Sequence, residues 1–242
     1  GYMVITGAGP GIMEAAQGGA GRARSFGVNI RLPFESKANA VIENDPKLIH
    51  FKYFFTRKVC FLKETDALVI FPGGFGTHDE AFESLTLVQT GKSHLVPIVF
   101  VDRPGGTYWS DWLDYIRKHL LEPGYIDSFD ESLFHVTYSA EDAVATVDRF
   151  YLNYHSCRFV RPLQIIRLNH PVGDELLTRL NREFRDIIVS GNIERLPAPL
   201  DVESDEPEAA HLYRIAFRFD RKSYGRLREL IDVLNLDAAG SR

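Results

Sequence analysis

The 242-residue sequence predicts an α/β fold, a doubly wound parallel sheet followed by a small α+β extension, and three observations point to it. Apolar, β-branched runs of strand length recur through the first 155 residues, with helical patterns between them. The runs are apolar throughout rather than alternating, which suits strands of a parallel sheet covered on both faces. Twice, a run passes through a glycine-rich turn straight into a helical pattern, the junction at which such sheets bind ligands.

Taken in order, "MVITGAG" (3 to 9) reads as a strand, and residues 11 to 26 as a helix. "VNIRLP" (28 to 33) is the next strand. "LIHFKYFFTRK" interrupts the rhythm, as a short extended piece at the carboxyl edge of the sheet before a helix near 57 to 65 capped by Thr56. Strands follow at "ALVIFPGG" (67 to 74), "LVPIVFVD" (95 to 102) and "FHVTYS" (134 to 139), with helices near 77 to 90, 110 to 121 and 140 to 153. The last helix opens on Ser139-Ala140-Glu141-Asp142, a capping-box pattern.

Beyond Tyr154 the character changes. "LQIIRLN" (163 to 169), a helix near 173 to 189, "LYRIAFRFD", and a helix near 222 to 235 describe the extension. The division is therefore a doubly wound α/β domain over 1 to 155 and an α+β extension over 156 to 242. Between the two halves of the extension, "LPAPLDVESDEPEAA" is acidic and proline-bearing, and is expected to be a mobile loop.

Composition narrows the function. With 45% hydrophobic and 25% charged residues, and no apolar run near the ~20 needed to span a bilayer, the chain reads as a soluble protein without a membrane partner. A formal charge of −5 gives no basic footprint for nucleic acid. Cys60 and Cys157 are the only cysteines, far apart and without Cys/His spacing, so neither a disulfide framework nor a metal site is expected. A reducing cytoplasm fits. Gly1 is not an initiator methionine and a strand begins almost at once, so an upstream segment is expected to be missing from this sequence.

The glycine turns carry the chemistry. "ITGAGPGIMEAA" places glycines at 7, 9 and 11, which is not GxGxxG because position 12 is Ile. No acid ends the following strand, the nearest being Glu35 beyond Pro33, so dinucleotide hydride transfer is disfavoured. In "FPGGFGTHDE", Gly73, Gly74 and Gly76 remove Cβ atoms from a strand-to-helix turn, allowing several N–H groups to converge on an anion, and Thr77 adds a hydroxyl. Without GxxxxGK[ST] spacing, this cradle suits a monophosphate better than a triphosphate. Helical spacing stacks Glu80, Glu83 and either Thr86 or Leu87 on one face, leaving a carboxylate one turn from the phosphate. Two plainer roles compete: Thr77-His78-Asp79-Glu80 is also a T-x-x-E capping box, and Arg57 could be an ordinary surface charge. His78, His50 and Asp79 show no metal-ligand spacing, and the aromatics at 53 to 55 with Trp109 and Trp112 suit a core or a subunit interface.

On the residues "PGGFGTHDE" (72 to 80), "TRK" (56 to 58), "GAGPGIMEAA" and "LTLVQTGK", in order over roughly 1 to 155, the sequence resembles the Lonely Guy family of nucleoside-monophosphate phosphoribohydrolases, often labelled lysine decarboxylases. The resemblance implies a Rossmann-like sheet whose first strand lies upstream of Gly1. It implies Arg57 and Glu80 as the catalytic pair with Lys58 beside them. The 5′-phosphate would lie on the turn Gly73, Gly74, Phe75, Gly76 and Thr77, with Thr86 lining the site, Gly9 in the first turn, and Glu35 a ribose contact. It further implies a homodimer or larger assembly, and no cofactor or metal is called for. The extension after 155 and the pair His78-Asp79 depart from the short members.

The expected activity is hydrolysis of a purine nucleoside 5′-monophosphate, AMP or a cytokinin-type N6-modified AMP, to free base and ribose 5-phosphate. A noncatalytic carrier or sensor of a nucleotide or phosphate-bearing cofactor is the alternative. A decarboxylase would need a Schiff-base lysine, for which Lys58 is the only well-placed residue, with nothing to partner a pyridine ring.

Overall fold

A computed structural model describes residues 1 to 30 and 37 to 240. The chain forms two compact units, Gly1–Asp66 and a second from Ala67 on. In the first, β1 (Val4–Thr6), α1 (Ile12–Ala20), β2 (Ser25–Ile30), β3 (Leu48–Phe51) and α2 (Phe54–Lys63) build a parallel sheet of order β1-β2-β3. Gly27 of β2 admits Leu48 and Ala8 side chains so closely that a Cβ there would meet them at 2.7 and 3.0 Å.

The second unit begins with β4 (Leu68–Ile70), α3 (Phe75–Gln89), β5 (Ile98–Val101), α4 (Tyr108–Ile116), β6 (Phe134–Thr137) and α5 (Ala140–Phe150). Its parallel sheet has the order β4-β5-β6. Strand β5 shows why the run "IVFV" has no polar position. Ile98 and Phe100 enter one core with Trp109 and Trp112 of α4, while Val99 and Val101 enter a second with Ala143 and Val147 of α5. Successive side chains alternate in direction, so helices on both faces require every position to be apolar. Ser139 caps α5 by accepting from the Asp142 N–H at 3.0 Å. Its own N–H goes to Thr137 Oγ1 rather than back to Asp142, whose carboxylate takes His135 at 2.8 Å.

From Tyr154 the strands turn antiparallel: β7 (Tyr154–Val160), β8 (Leu163–Leu168), β9 (Glu194–Leu196) and β10 (Tyr213–Phe217), in the order β7-β8-β10-β9, with α6 (Asp174–Glu183) and α7 (Tyr224–Gly240). Residues of α3, β5 and α4 share one core with residues of β8, β10 and α7. The junction is sealed by Asn235 of α7, which is buried. Its Oδ1 accepts from the N–H groups of Asn153 and Tyr154, both at 2.9 Å, and its Nδ2 donates to the Phe150 carbonyl at 2.7 Å. That satisfies backbone groups freed where α5 ends and β7 begins. Gly225 lets α7 approach the turn at 128 to 133 so closely that a Cβ would lie 2.1 Å from the Phe129 carbonyl oxygen.

The acidic segment expected to be mobile is instead pinned. Glu203, 3% exposed, accepts from Arg167 of β8 through Nη2 at 2.7 Å and Nε at 2.9 Å, and from Nε of Arg214 of β10 at 3.3 Å. Glu206 pairs with Arg167 as well, and Asp205 with Arg158 of β7 at 2.6 Å. The charges that suggested solvation are matched by arginines on three neighbouring strands, which single-segment composition does not reveal. Among the described residues, no helix is long and apolar enough to cross a membrane.

Candidate functional site

The second glycine turn begins where β4 ends. Helix α3 starts at Phe75, two residues earlier than its sequence suggests, with Gly74 in the cap position at φ −90° and ψ −158°. The Gly74 carbonyl accepts from the N–H groups of Thr77 at 3.0 Å and His78 at 3.3 Å. The N–H groups of Phe75 and Gly76, in the first turn, have no helical carbonyl to bond. No acid occupies that turn to offset the positive end of the helix dipole. The space where Gly74 and Gly76 would carry a Cβ is open, and Phe75 is 96% exposed. Gly73 differs: a Cβ on it would lie 2.1 Å from Thr77 Oγ1, so Thr77 packs its hydroxyl into the turn itself. The result is an open surface of first-turn N–H groups, a geometry that receives anions.

This start to α3 removes the capping role weighed for Glu80. Thr77 lies within the first turn rather than ahead of it, so no T-x-x-E cap forms. Glu80 is half-buried, one turn beyond Gly76 and Thr77, and its carbonyl accepts from Ser84 Oγ at 2.6 Å. Glu83, half-buried, follows on the same face. Thr86 is exposed, with its hydroxyl donated to the Phe82 carbonyl at 2.7 Å, which leaves its oxygen able to accept.

Behind the turn lies a contact that sequence reasoning missed. Tyr108, first residue of α4, donates its hydroxyl to the Gly73 carbonyl at 2.5 Å, and the same oxygen lies 2.7 Å from His78 Nε2. Both rings pack near Trp109, at centroid distances of 4.7 Å for Tyr108 and 5.8 Å for His78. The sequence carries no signal for this pair, because 30 residues separate them.

In the first unit, Ala8 sits in the "GAG" turn, wholly buried and with φ +61°, a left-handed conformation that non-glycine residues rarely adopt. Its N–H is held by Thr6 Oγ1 at 3.0 Å and its carbonyl by the Asn39 N–H at 2.9 Å. The Gly9 carbonyl accepts from Asn39 Nδ2 at 3.0 Å, and that amide also meets Gln17 Oε1 at 2.7 Å. Asn39 and Gln17 are thus buried supports of the turn, invisible as a pair in the sequence. Glu14 lies in the first turn of α1, so this helix start is less suited to an anion than that of α3.

Arg57 and Lys58 lie in the first half of α2, which starts at Phe54 rather than near 57. Tyr53 is its cap residue, and the Thr56 hydroxyl donates to the Tyr53 carbonyl at 2.8 Å. The Arg57 guanidinium stands over the rings of Phe54 at 5.1 Å and Phe61 at 6.0 Å, one turn to either side. Both cations are half-buried. Glu35 lies outside the described residues. Among the described residues, no group of three or more His, Cys, Asp or Glu side chains is placed to hold a metal ion.

The second unit thus brings together Gly73 to Thr77 and Glu80 on one turn and helix, and the first unit holds Gly9, Arg57 and Lys58. A family model described as "Possible lysine decarboxylase" matches residues 12–147, which include both glycine-turn helices and the T-R-K segment. No curated protein matches the chain.

Proposed function

The chain belongs to the family described as possible lysine decarboxylases, which contains the Lonely Guy proteins, and we propose that it hydrolyses the N-glycosidic bond of a purine nucleoside 5′-monophosphate. AMP or an N6-modified AMP is the substrate, and free base and ribose 5-phosphate are the products. The observation that carries this reading is the bare start of α3: open N–H groups at Phe75 and Gly76, no acid in the first turn, and Glu80 one turn on.

In the proposed reaction the C1′–N bond of the nucleotide breaks, positive charge builds at C1′ and the ring oxygen, and water adds to C1′. The base leaves with a proton. A carboxylate stabilises the oxocarbenium-like state and orients or deprotonates the water, which is the role assigned to Glu80. The remote phosphate on the glycine turn holds the ribose in register, so binding energy from a non-reacting group serves the reacting one. Arg57 as catalytic partner and Lys58 as substrate contact rest on the resemblance of the T-R-K segment. So does a homodimer or larger assembly, for which a dimeric or greater mass in light scattering at micromolar concentration is expected. A monomer of full activity would refute that assembly.

The decisive experiment incubates the protein with a panel of nucleoside 5′-monophosphates and follows free base by chromatography. Release of a purine base from one of them is expected. Tight binding of a monophosphate without release of base would identify a carrier or sensor instead.

A further inference from the structure

We infer that Tyr108, held by His78, is a positioning residue of the phosphate cradle that sets the direction of the Gly74 N–H. The inference rests on the cradle reading of the α3 start and goes beyond it, because neither residue is needed to recognise that start. Gly73 and Gly74 have no side chains, so the peptide between them has little local restraint on its orientation. Cis peptide bonds among the described residues are confined to Arg161–Pro162, so the Gly73–Gly74 peptide is trans. In a trans peptide the C=O and the N–H point to opposite edges of one plane. Fixing the Gly73 oxygen therefore fixes the Gly74 hydrogen. Tyr108 does this with a hydrogen bond of 2.5 Å, delivered from a helix on the far side of the turn.

Proton counting extends the chain to His78. A tyrosine hydroxyl has one proton, and here the Gly73 carbonyl, which can only accept, takes it. The contact of 2.7 Å between His78 Nε2 and the same hydroxyl must then have histidine as the donor. His78 thus carries a proton on Nε2. The direction of donation runs from His78 to Tyr108 to the Gly73 carbonyl. His78 lies on α3 and its own N–H bonds Gly74, so the relay closes on the turn it steadies.

Tyr108→Phe removes the proton and keeps the ring among His78 and Trp109, which makes it the informative variant. Affinities of wild type and variant are measured for AMP, ribose 5-phosphate and adenosine by calorimetry. Loss of one bond to a charged phosphate is worth roughly tenfold, so AMP and ribose 5-phosphate should weaken by ~10-fold while adenosine, which has no phosphate, is unchanged. His78→Leu should weaken the two phosphates in the same direction, and His78→Gln, whose amide can still donate, should restore them. A Tyr108→Phe protein with wild-type affinity for AMP overturns the inference and leaves the proposed function standing. So does a loss that falls equally on adenosine, since that is general structural damage. A wild-type protein that binds AMP no better than adenosine overturns the cradle itself.

Discussion

Arg167 and Arg214 stand directly opposite one another on β8 and β10, two like charges in register, with the carboxylate of Glu203 between them. Opposed like charges destabilise a strand pair. All three residues are buried, so the acid is what makes the arrangement tenable. Substituting Glu203→Gln keeps the shape but removes the buried negative charge. Breaking a buried ion pair from one side costs about 3–5 kcal/mol, and a loss of stability on that scale is expected in chemical denaturation. A change under about 1 kcal/mol, the value of an exposed pair, would show that the cluster is solvated in solution.

The same carboxylate gives the protein an acid limit. Burial by itself raises the Glu203 pKa, but the Leu200 N–H and the Arg167 and Arg214 guanidiniums outweigh it and hold the group below the usual carboxylate range. Asp205 is lowered by Arg158, and Asp186 by Arg226. A carboxylate depressed in the folded state stabilises above its unfolded pKa, about 4, and that contribution is lost as pH falls through the folded value, where both states are protonated. Stability should therefore decline as pH drops below about 4. The Glu203→Gln protein should show a shallower decline in melting temperature over that window, and an unchanged slope would remove Glu203 from the account.

Glu80→Gln separates catalysis from structure. Because α3 begins at Phe75, Glu80 stands outside the cap, and glutamine keeps the size and hydrogen-bonding reach of its side chain, so the melting temperature should stay near wild type. If Glu80 supplies the charge at C1′, base release from the monophosphate should fall by ~100-fold or more while binding persists. A fully active Glu80→Gln enzyme would end the proposed mechanism.

Gly225→Ala tests how tightly α7 is seated. A Cβ there would overlap the Phe129 carbonyl oxygen, and a backbone atom cannot swing aside as a side chain can. Overpacking of this kind costs about 1–3 kcal/mol, and the variant should lose stability despite the better helix propensity of alanine. Equal or greater stability would mean that the helix shifts freely against the 128 to 133 turn.

The parallel strands and their helices were legible because their signals are local: apolar runs fit strands buried on both faces, and glycines mark where the chain turns into a helix. Exact helix starts were not. Thr77 and Thr56 are good caps by composition, yet Gly74 and Tyr53 hold those positions, since the preceding chain geometry decides where helical dihedrals begin. The glycine turn and the helix that carries Glu80 were readable from one short motif. Its support was not, because Tyr108 reaches Gly73 across 35 positions, and Asn39 reaches Gly9 across 30. Glu203 was hidden in the same way, its partners being spread over two later-paired strands.

Asn235 has a meaning for the order of events during synthesis. The backbone groups it satisfies belong to Phe150, Asn153 and Tyr154, some 80 residues nearer the start of the chain. On a ribosome, these wait without their partner until α7 has emerged. At about 5–20 residues per second, the delay lasts several seconds. The early strands and helices of the second unit can assemble during that interval, but the seam between its parallel and antiparallel parts closes only once the chain has been made through Asn235. The interval is a period of exposure, in which a chaperone or a neighbouring nascent chain could reach apolar surface that the finished protein keeps covered.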